Sequence, residues 1–234
     1  MKLFEQNQDG ESQWLPISDL MSVLMMVFLL IAISYMIKVT ADQARIEEVA
    51  VTYNKLQVEL YEDLRLEFEK DLQVWDAEID KNSLSVRFKS PEILFQQGSD
   101  EISPKFKTIL SDFFPRFIRI LHKEEYRNDV DEIRIEGHTS TEWRIKTTEQ
   151  QAYIFNMELS QDRTRNVLDY VLSYTALDSS LMDWTRANLT ANGLSSSKVI
   201  RDENGSENKL LSRRVEFRVR TNAESRITKI ISEL

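Results

Sequence analysis

The sequence predicts a membrane-anchored α/β protein: a single N-terminal transmembrane helix, a helical linker, then an α/β domain with helices on one face of a mixed sheet. Three observations lead there. Residues 20–37 are a run of 18 uncharged, mostly apolar residues. From residue 38 the chain turns polar, with apolar residues at helical spacing. After residue 72 stretches of period two alternate with stretches of period three to four, which is how strands and helices announce themselves.

The apolar run comes first. At about 1.5 Å per residue it spans roughly 27 Å, close to the ~30 Å hydrocarbon core. A cleaved signal peptide needs a basic leader and a small-residue cleavage site. Here Lys2 stands against Glu5, Asp9 and Glu11, and Ala41-Asp42-Gln43-Ala44 is a poor site, so the helix is expected to stay. One acid, Asp19, opens the run after Pro16 and Ser18. Position alone leaves two readings open. One is an N-cap or interfacial acid bonded to free backbone N–H groups. The other is a buried carboxyl on an ion path, costly in lipid and typical of proton relays. Ser22, three positions on, shares Asp19's helical face and is placed to hydrogen-bond the carboxyl. A single helix cannot enclose a path for ions, so the second reading requires partner helices.

The linker, 38–72, lacks Gly and Pro. Ile46, Val49, Tyr53, Leu56, Leu60, Leu64 and Phe68 recur at spacings of three and four, which predicts a helix. The stripe fits either a short parallel coiled coil, implying a dimer, or a single helix packed on the following domain. Glu67 and Asp71 are a like-charged i,i+4 pair that gives the helix no support.

In the last segment Leu84, Val86 and Phe88 alternate with polar residues as a strand, with 75–79 as its hairpin partner across Lys81-Asn82. A helix is expected over 103–122 with Phe106, Ile109, Leu110, Phe113, Phe117 and Ile120 inward, kinked at Pro115. Ile133 and Ile135 mark a strand ending at Gly137. A helix over 156–174 buries Leu159, Val167, Leu168, Val171 and Leu172. Leu189 and Ala191 make a short strand, and Val215, Phe217 and Val219 the last one. A terminal helix is expected over 225–234. The order is β-β-α-β-α-β-β.

Composition bounds the chemistry. With 41% hydrophobic and 29% charged residues in 234, the soluble part can fold. A net charge of −9 argues against nucleic acid, which needs a basic face. The absence of cysteine removes disulfides, thiol catalysis and Cys-based zinc sites; two histidines, His122 and His138, exclude a His-rich metal site. His138 has no nucleophile or acid at a recognisable spacing and reads as a structural, hydrogen-bonding residue.

Residues 14–29, WLPISDLMSVLMMVFL, resemble the membrane signature of MotB-type stator B subunits: Trp, four residues, Asp, aromatic or Leu, Met, Thr, then Met-Met and Phe-Leu. Trp14, Asp19, Leu20, Met21, Met25 and Phe28-Leu29 match; Ser22 stands for the usual Thr and Ile17-Ser18 for the usual Tyr-Ala. The resemblance implies that Asp19 is the ion-binding residue, supported by Ser22, and that H⁺ or Na⁺ is carried with no other cofactor.

Residues 75–220 resemble the OmpA-like peptidoglycan-binding domain. The matches are Phe95-Gln-Gln-Gly98-Ser99, Gly137-His138-Thr139, Asn156, Leu159-Ser160, Arg163, Gly193 and Ser212-Arg213-Arg214-Val215-Glu216. They imply a wall site of Thr139, Ser140, Asn156, Leu159, Arg163, Arg213 and Arg214. In that family an Asp after Gly-His-Thr holds the amine of diaminopimelate, and the Arg after Leu-Ser holds a carboxylate. Here Arg163 is present, but Ser140 takes the acid's place and Glu142 is the candidate substitute. The loop that follows is longer than usual and carries Trp143, Arg144 and Lys146. Without the resemblance Arg163 reads as a surface cation paired with Asp162 or a neighbouring strand. Arg213 and Arg214 alternate faces, so one is expected in the site and the other in solvent.

Together these resemblances imply a non-enzymatic B subunit that dimerises inside a MotA- or ZorA-like membrane partner, expected as a pentamer. Its place would be the bacterial inner membrane, with 1–13 cytoplasmic, 14–37 spanning, 38–72 the linker, 73–221 periplasmic and bound to peptidoglycan, and 222–234 a tail helix. Charge alone points the other way, since Lys2 lies on one side and Lys38 and Arg45 on the other. The wall domain's departures and the acidic N-terminus make the chain most like the B subunits of Zorya anti-phage complexes. A flagellar stator B subunit is the alternative. A passive peptidoglycan-anchoring envelope protein is a second, of a different class.

Overall fold

The computed structural model describes residues 11–96, 98–143, 146–174 and 176–222. The expected terminal helix over 225–234 and the segment before residue 11 lie outside them, as does Arg144. Two units are described, 11–51 and 52–222.

The first unit is the N-terminal part of helix α1 (Glu11–Trp75). Its stretch Ile17–Glu47 is long and apolar enough to cross a membrane, and no residue of its apolar window is buried within the chain. Leu20, Met25 and Phe28 all stay largely exposed. A helix apolar on every side is stable in water only when something else covers it.

In the second unit the end of α1 becomes part of a domain. Leu60, Leu64 and Phe68 are fully buried and Leu56 partly so. Each such side chain contributes about 1.5–3 kcal/mol of burial. This part of the stripe therefore serves the chain's own core, and of the two readings of the linker the structure takes the packed helix from Leu56 onward. Glu67 and Asp71, unhelpful to each other, both hold Arg116, at 2.7 and 2.9 Å.

The sheet has the order β1-β2-β5-β3-β4 (Ala77–Asp80, Ser85–Phe88, Arg214–Thr221, Val130–His138 and Leu189–Gly193). Only β3 and β4 run parallel; the other pairs are antiparallel. Between β2 and β3 come a single turn, α2 (Pro91–Leu94), and α3 (Pro104–Leu121). Ser103 caps α3 by accepting from Phe106 N at 3.0 Å, with Pro104 behind it. The helix continues through Pro115. All six side chains expected inward on it are buried. Phe113 lies at 5.2 Å from Phe68, 5.2 Å from Phe88 and 5.1 Å from Phe217, an aromatic centre joining α1, α3 and the sheet.

Helix α4 (Glu149–Tyr174) starts seven residues before the expected 156. Thr148 and Gln151 explain it: Gln151 N donates to Thr148 Oγ1 at 3.3 Å, and Thr148 N to Gln151 Oε1 at 3.1 Å, a capping box. Helix α5 (Ser179–Asn188), capped by Asp178, was not legible from apolar spacing; only Leu181 and Thr185 are buried on it. A one-turn helix, α6 (Lys209–Ser212), leads into β5.

Strand alternation divides the sheet's chemistry. Ile133, Ile135, Val215, Phe217 and Val219 face the helices and the core. Glu132, Arg134, Glu136 and His138 of β3, with Arg214, Glu216, Arg218 and Arg220 of β5, take the other face. The chain thus assembles the anticipated architecture, with a mixed sheet covered by helices on its apolar face.

Candidate functional site

A cleft of about 460 Å³ opens where β3 ends, beside α4 and α6. Thr139, Ser140, Asn156, Leu159, Arg163 and Arg213 line it, together with Gly98, Glu142 and Trp143. Six of the seven expected wall-site residues therefore converge.

Two glycines let the elements approach. Gly137 and Gly193 are register partners at the ends of β3 and β4. A Cβ on Gly137 would come 2.7 Å from Thr164 Cγ2 and 2.9 Å from Ser160 O, and one on Gly193 would come 2.7 Å from Ser160 Oγ. The absence of side chains at both positions lets α4 lie against the strand ends, which sets Arg163 at the cleft. Ser195 completes the corner. Fully buried and at φ +51°, it accepts from Thr139 N at 2.9 Å, takes Ser160 Oγ onto its own N–H at 3.1 Å, and donates its hydroxyl to Tyr153 O at 2.8 Å. Sequence reasoning missed it, because a serine in the left-handed region carries no local signature.

Arg163 is half-buried. Its Nε donates to Ser99 O at 2.9 Å, and its guanidinium lies 4.7 Å from the Phe95 ring centre. Asp162, one partner considered for it, pairs with Arg165 at 3.1 Å. Arg213 caps α6 and donates Nε to Lys209 O at 3.0 Å. Glu142 lines the cleft but is paired with Lys209, so it is not an unengaged replacement for the acid absent at Ser140. Asn156, buried, donates Nδ2 to Glu142 O at 3.1 Å. Thr139 Oγ1 is buried without a hydrogen-bond partner among the described residues.

Arg214 is not among the residues that line this cleft, but with Arg163, Arg213 and His138 it lines a smaller pocket beside it. It is 6% exposed and Arg213 half-buried, so neither arginine is the solvated one that the sequence leads us to expect of the pair. Arg214 Nε meets Glu216 Oε1, which also accepts Arg87 Nε at 2.8 Å, while Glu216 Oε2 accepts Ser85 Oγ at 3.1 Å. Burial pushes the Glu216 carboxyl up, but Arg214 and Arg87 outweigh it and hold it at about 2. Burial draws Arg214 downward against the pull of Glu216. His138 Nε2 lies 3.5 Å from Glu136 Oε2 and 3.9 Å from Glu216 Oε1. The Glu136 contact is at the long limit of a hydrogen bond, and the ring is structural in its setting; burial above all lowers the imidazole's pKa, against the pull of Glu136. Glu136, His138 and Glu216 each bring a ligand atom within 4.8 Å of the others, as a metal site would. Arg214 and Arg87 already occupy the Glu216 carboxylate, and Arg134 and Arg218 lie 3.7 and 4.0 Å from Glu136. Their positive charges would repel a cation, so the cluster reads as a closed ion network.

The other expected site is Asp19. Helix α1 begins at Glu11, so Asp19 lies inside the helix and cannot be its N-cap. Its side chain is exposed in the single chain. Ser22 Oγ donates to Ser18 O at 2.8 Å rather than to the carboxyl. Such an i−4 bond is the usual resort of a helical serine in an apolar setting.

The OmpA family matches residues 94–213. The Zorya protein ZorB of Escherichia coli (strain Crooks) is 50% identical over 232 residues, covering 99% of this chain and 97% of the relative. A MotB like protein from Desulfovibrio vulgaris shares 26% identity at a TM-score of 0.49, over 70% of this chain and 91% of that one. The cell wall anchor of the T6SS from Pseudomonas aeruginosa shares 21% at 0.45, over 68% and 96%.

Proposed function

The chain belongs to the ZorB family, with an OmpA family domain over residues 94–213, and from that premise we propose that it is the B subunit of an ion-driven inner-membrane motor in anti-phage defence. The observation that carries the reading is the near full-length relation at 50% identity, which takes in both the apolar helix with its acid and the cleft-bearing domain. Residues 14–37 span the membrane with 1–13 in the cytoplasm, and 73–221 lie in the periplasm. Two copies stand inside a MotA- or ZorA-like ring, expected as a pentamer. Asp19 binds H⁺ or Na⁺ from one side and releases it to the other. An acid at this depth is costly in lipid, and such acids mark ion paths between helices.

The domain's part is anchorage. Arg163 and Arg213 give the cleft two cations for the carboxylates of the wall's peptide stems. A ring can turn only against something held still. The subunit performs no covalent chemistry in this account.

Asp19→Asn tests it. The carboxamide keeps size and polarity and removes the titratable charge. Cells carrying the variant with its partner should lose protection in phage plaquing assays, while the complex still purifies intact. Full protection with Asn at 19 would reduce the helix to a tether.

A further inference from the structure

We propose that Trp143 is a stacking platform for a sugar ring, so that the cleft binds the wall's glycan as well as its peptide. This rests on the wall-binding reading above.

The cleft is asymmetric. Arg163 and Arg213 supply positive charge. Another part of its lining is Trp143, half-buried, whose ring lies 5.3 Å from that of Phe155. Phe155 is 38% exposed, so the pair of rings presents apolar surface that continues outward from the wall of the cleft. Isolated exposed apolar residues are ordinary; a patch continuous with a polar cleft marks a binding surface.

Trp143 is also held in place. Thr141 N donates to Glu207 Oε1 at 3.0 Å, Glu142 is paired with Lys209, and Asn156 donates to Glu142 O. Three ties on two adjacent residues fix the backbone that presents the ring. A platform ordered before binding costs the ligand little entropy.

The chemistry of the lining selects the occupant. A purely apolar partner would leave the buried Thr139 Oγ1 unpaired and would desolvate two arginines for nothing. The ligand that fits has a carboxylate for the arginines, hydroxyl or amide groups for Thr139, and a ring with an apolar face and a polar rim for Trp143. A pyranose is such a ring, with C–H bonds on its faces and hydroxyls at its edge. An N-acetylhexosamine that bears a peptide carries all three features in one molecule.

The test uses the full chain in detergent micelles and two probes. One is a free diaminopimelate-containing stem peptide; the other is the same peptide on its disaccharide of N-acetylhexosamines. Calorimetric titration should show the glycosylated probe binding roughly tenfold more tightly, the size of one aromatic stacking contact. Trp143→Ala should erase that gain, bringing the ratio of the two probes' affinities to about one; Trp143→Phe should keep most of it. Arg163→Ala should weaken both probes. Equal affinity of the wild type for the two probes, or a gain that survives Trp143→Ala, overturns the platform while wall binding stands. If neither probe binds and the chain does not sediment with purified cell-wall sacculi, the wall-binding reading falls, and the platform falls with it.

Discussion

Two regions of this chain carry ionisable groups beside apolar residues, and they partner them in opposite ways. On the helix-free face of the sheet, Glu216 is 4% exposed and is met by Arg87, Arg214 and Ser85 from its own domain. On α1, Asp19 opens an apolar stretch with its carboxyl exposed, and the adjacent hydroxyl of Ser22 is turned to a backbone carbonyl. The first region supplies its own partners and is therefore structural. The second has surface and charge that this chain does not cover, which is how a component of a larger assembly looks when seen singly.

The comparison can be broken most forcefully at Glu216. Glu216→Ala leaves Arg214 buried without its counter-charge, while Arg87 keeps Glu78 at 2.7 Å, and should cost about 3–5 kcal/mol of domain stability. Denaturant unfolding followed by circular dichroism measures it. A loss below about 1 kcal/mol would mean the network is open to water and behaves as a surface salt bridge. A comparable test sits within α1 itself. Leu64→Ala removes a fully buried side chain and should cost about 2–5 kcal/mol in the same unfolding transition. Leu24→Ala, in the exposed apolar stretch, should leave that transition unmoved. Equal effects would erase the distinction between a helix end that belongs to the domain and a helix start that does not.

Much of this was legible in the sequence, for definite reasons. Period-two runs located β2, β3 and β5, and the inward Phe106, Phe113 and Phe117 at helical spacing located α3. The resemblance to the OmpA-like domain, through Gly137, Gly193 and Arg163 among others, located the cleft. What stayed illegible depended on partners far away in sequence. Leu60, Leu64 and Phe68 form the same stripe whether they meet a second copy or their own sheet, and only tertiary packing chooses. Arg213 and Arg214 look alike in a row, and which of them faces the cleft was beyond the sequence. Burial of Arg214 depends on Glu216 and Arg87 across the sheet. Ser195 needed the fold to reveal it. The early start of α4 was readable after all, in Thr148 and Gln151, but periodicity drew attention to the apolar residues instead.

The smallest expected effect is also the most graded. Unfolded, His138 takes up a proton near its ordinary value of about 6.5 and Glu216 near 4.3. Folded, both are lowered, His138 chiefly by burial and Glu216, against its burial, by Arg214 and Arg87. In each case the unfolded chain binds the proton first, so protonation favours unfolding. Stability is therefore fully present above about pH 6.5 and declines as pH falls, first through His138. Below about 4.3 the loss of Glu216 is added and continues toward its folded value of about 2. Urea midpoints measured from pH 7.5 to 5 should fall in the wild type and flatten in His138→Gln, which cannot take up the proton. An unchanged slope in that variant would place the acid sensitivity elsewhere in the domain. Asp19→Asn should not alter the slope, since Asp19 lies outside the folded domain.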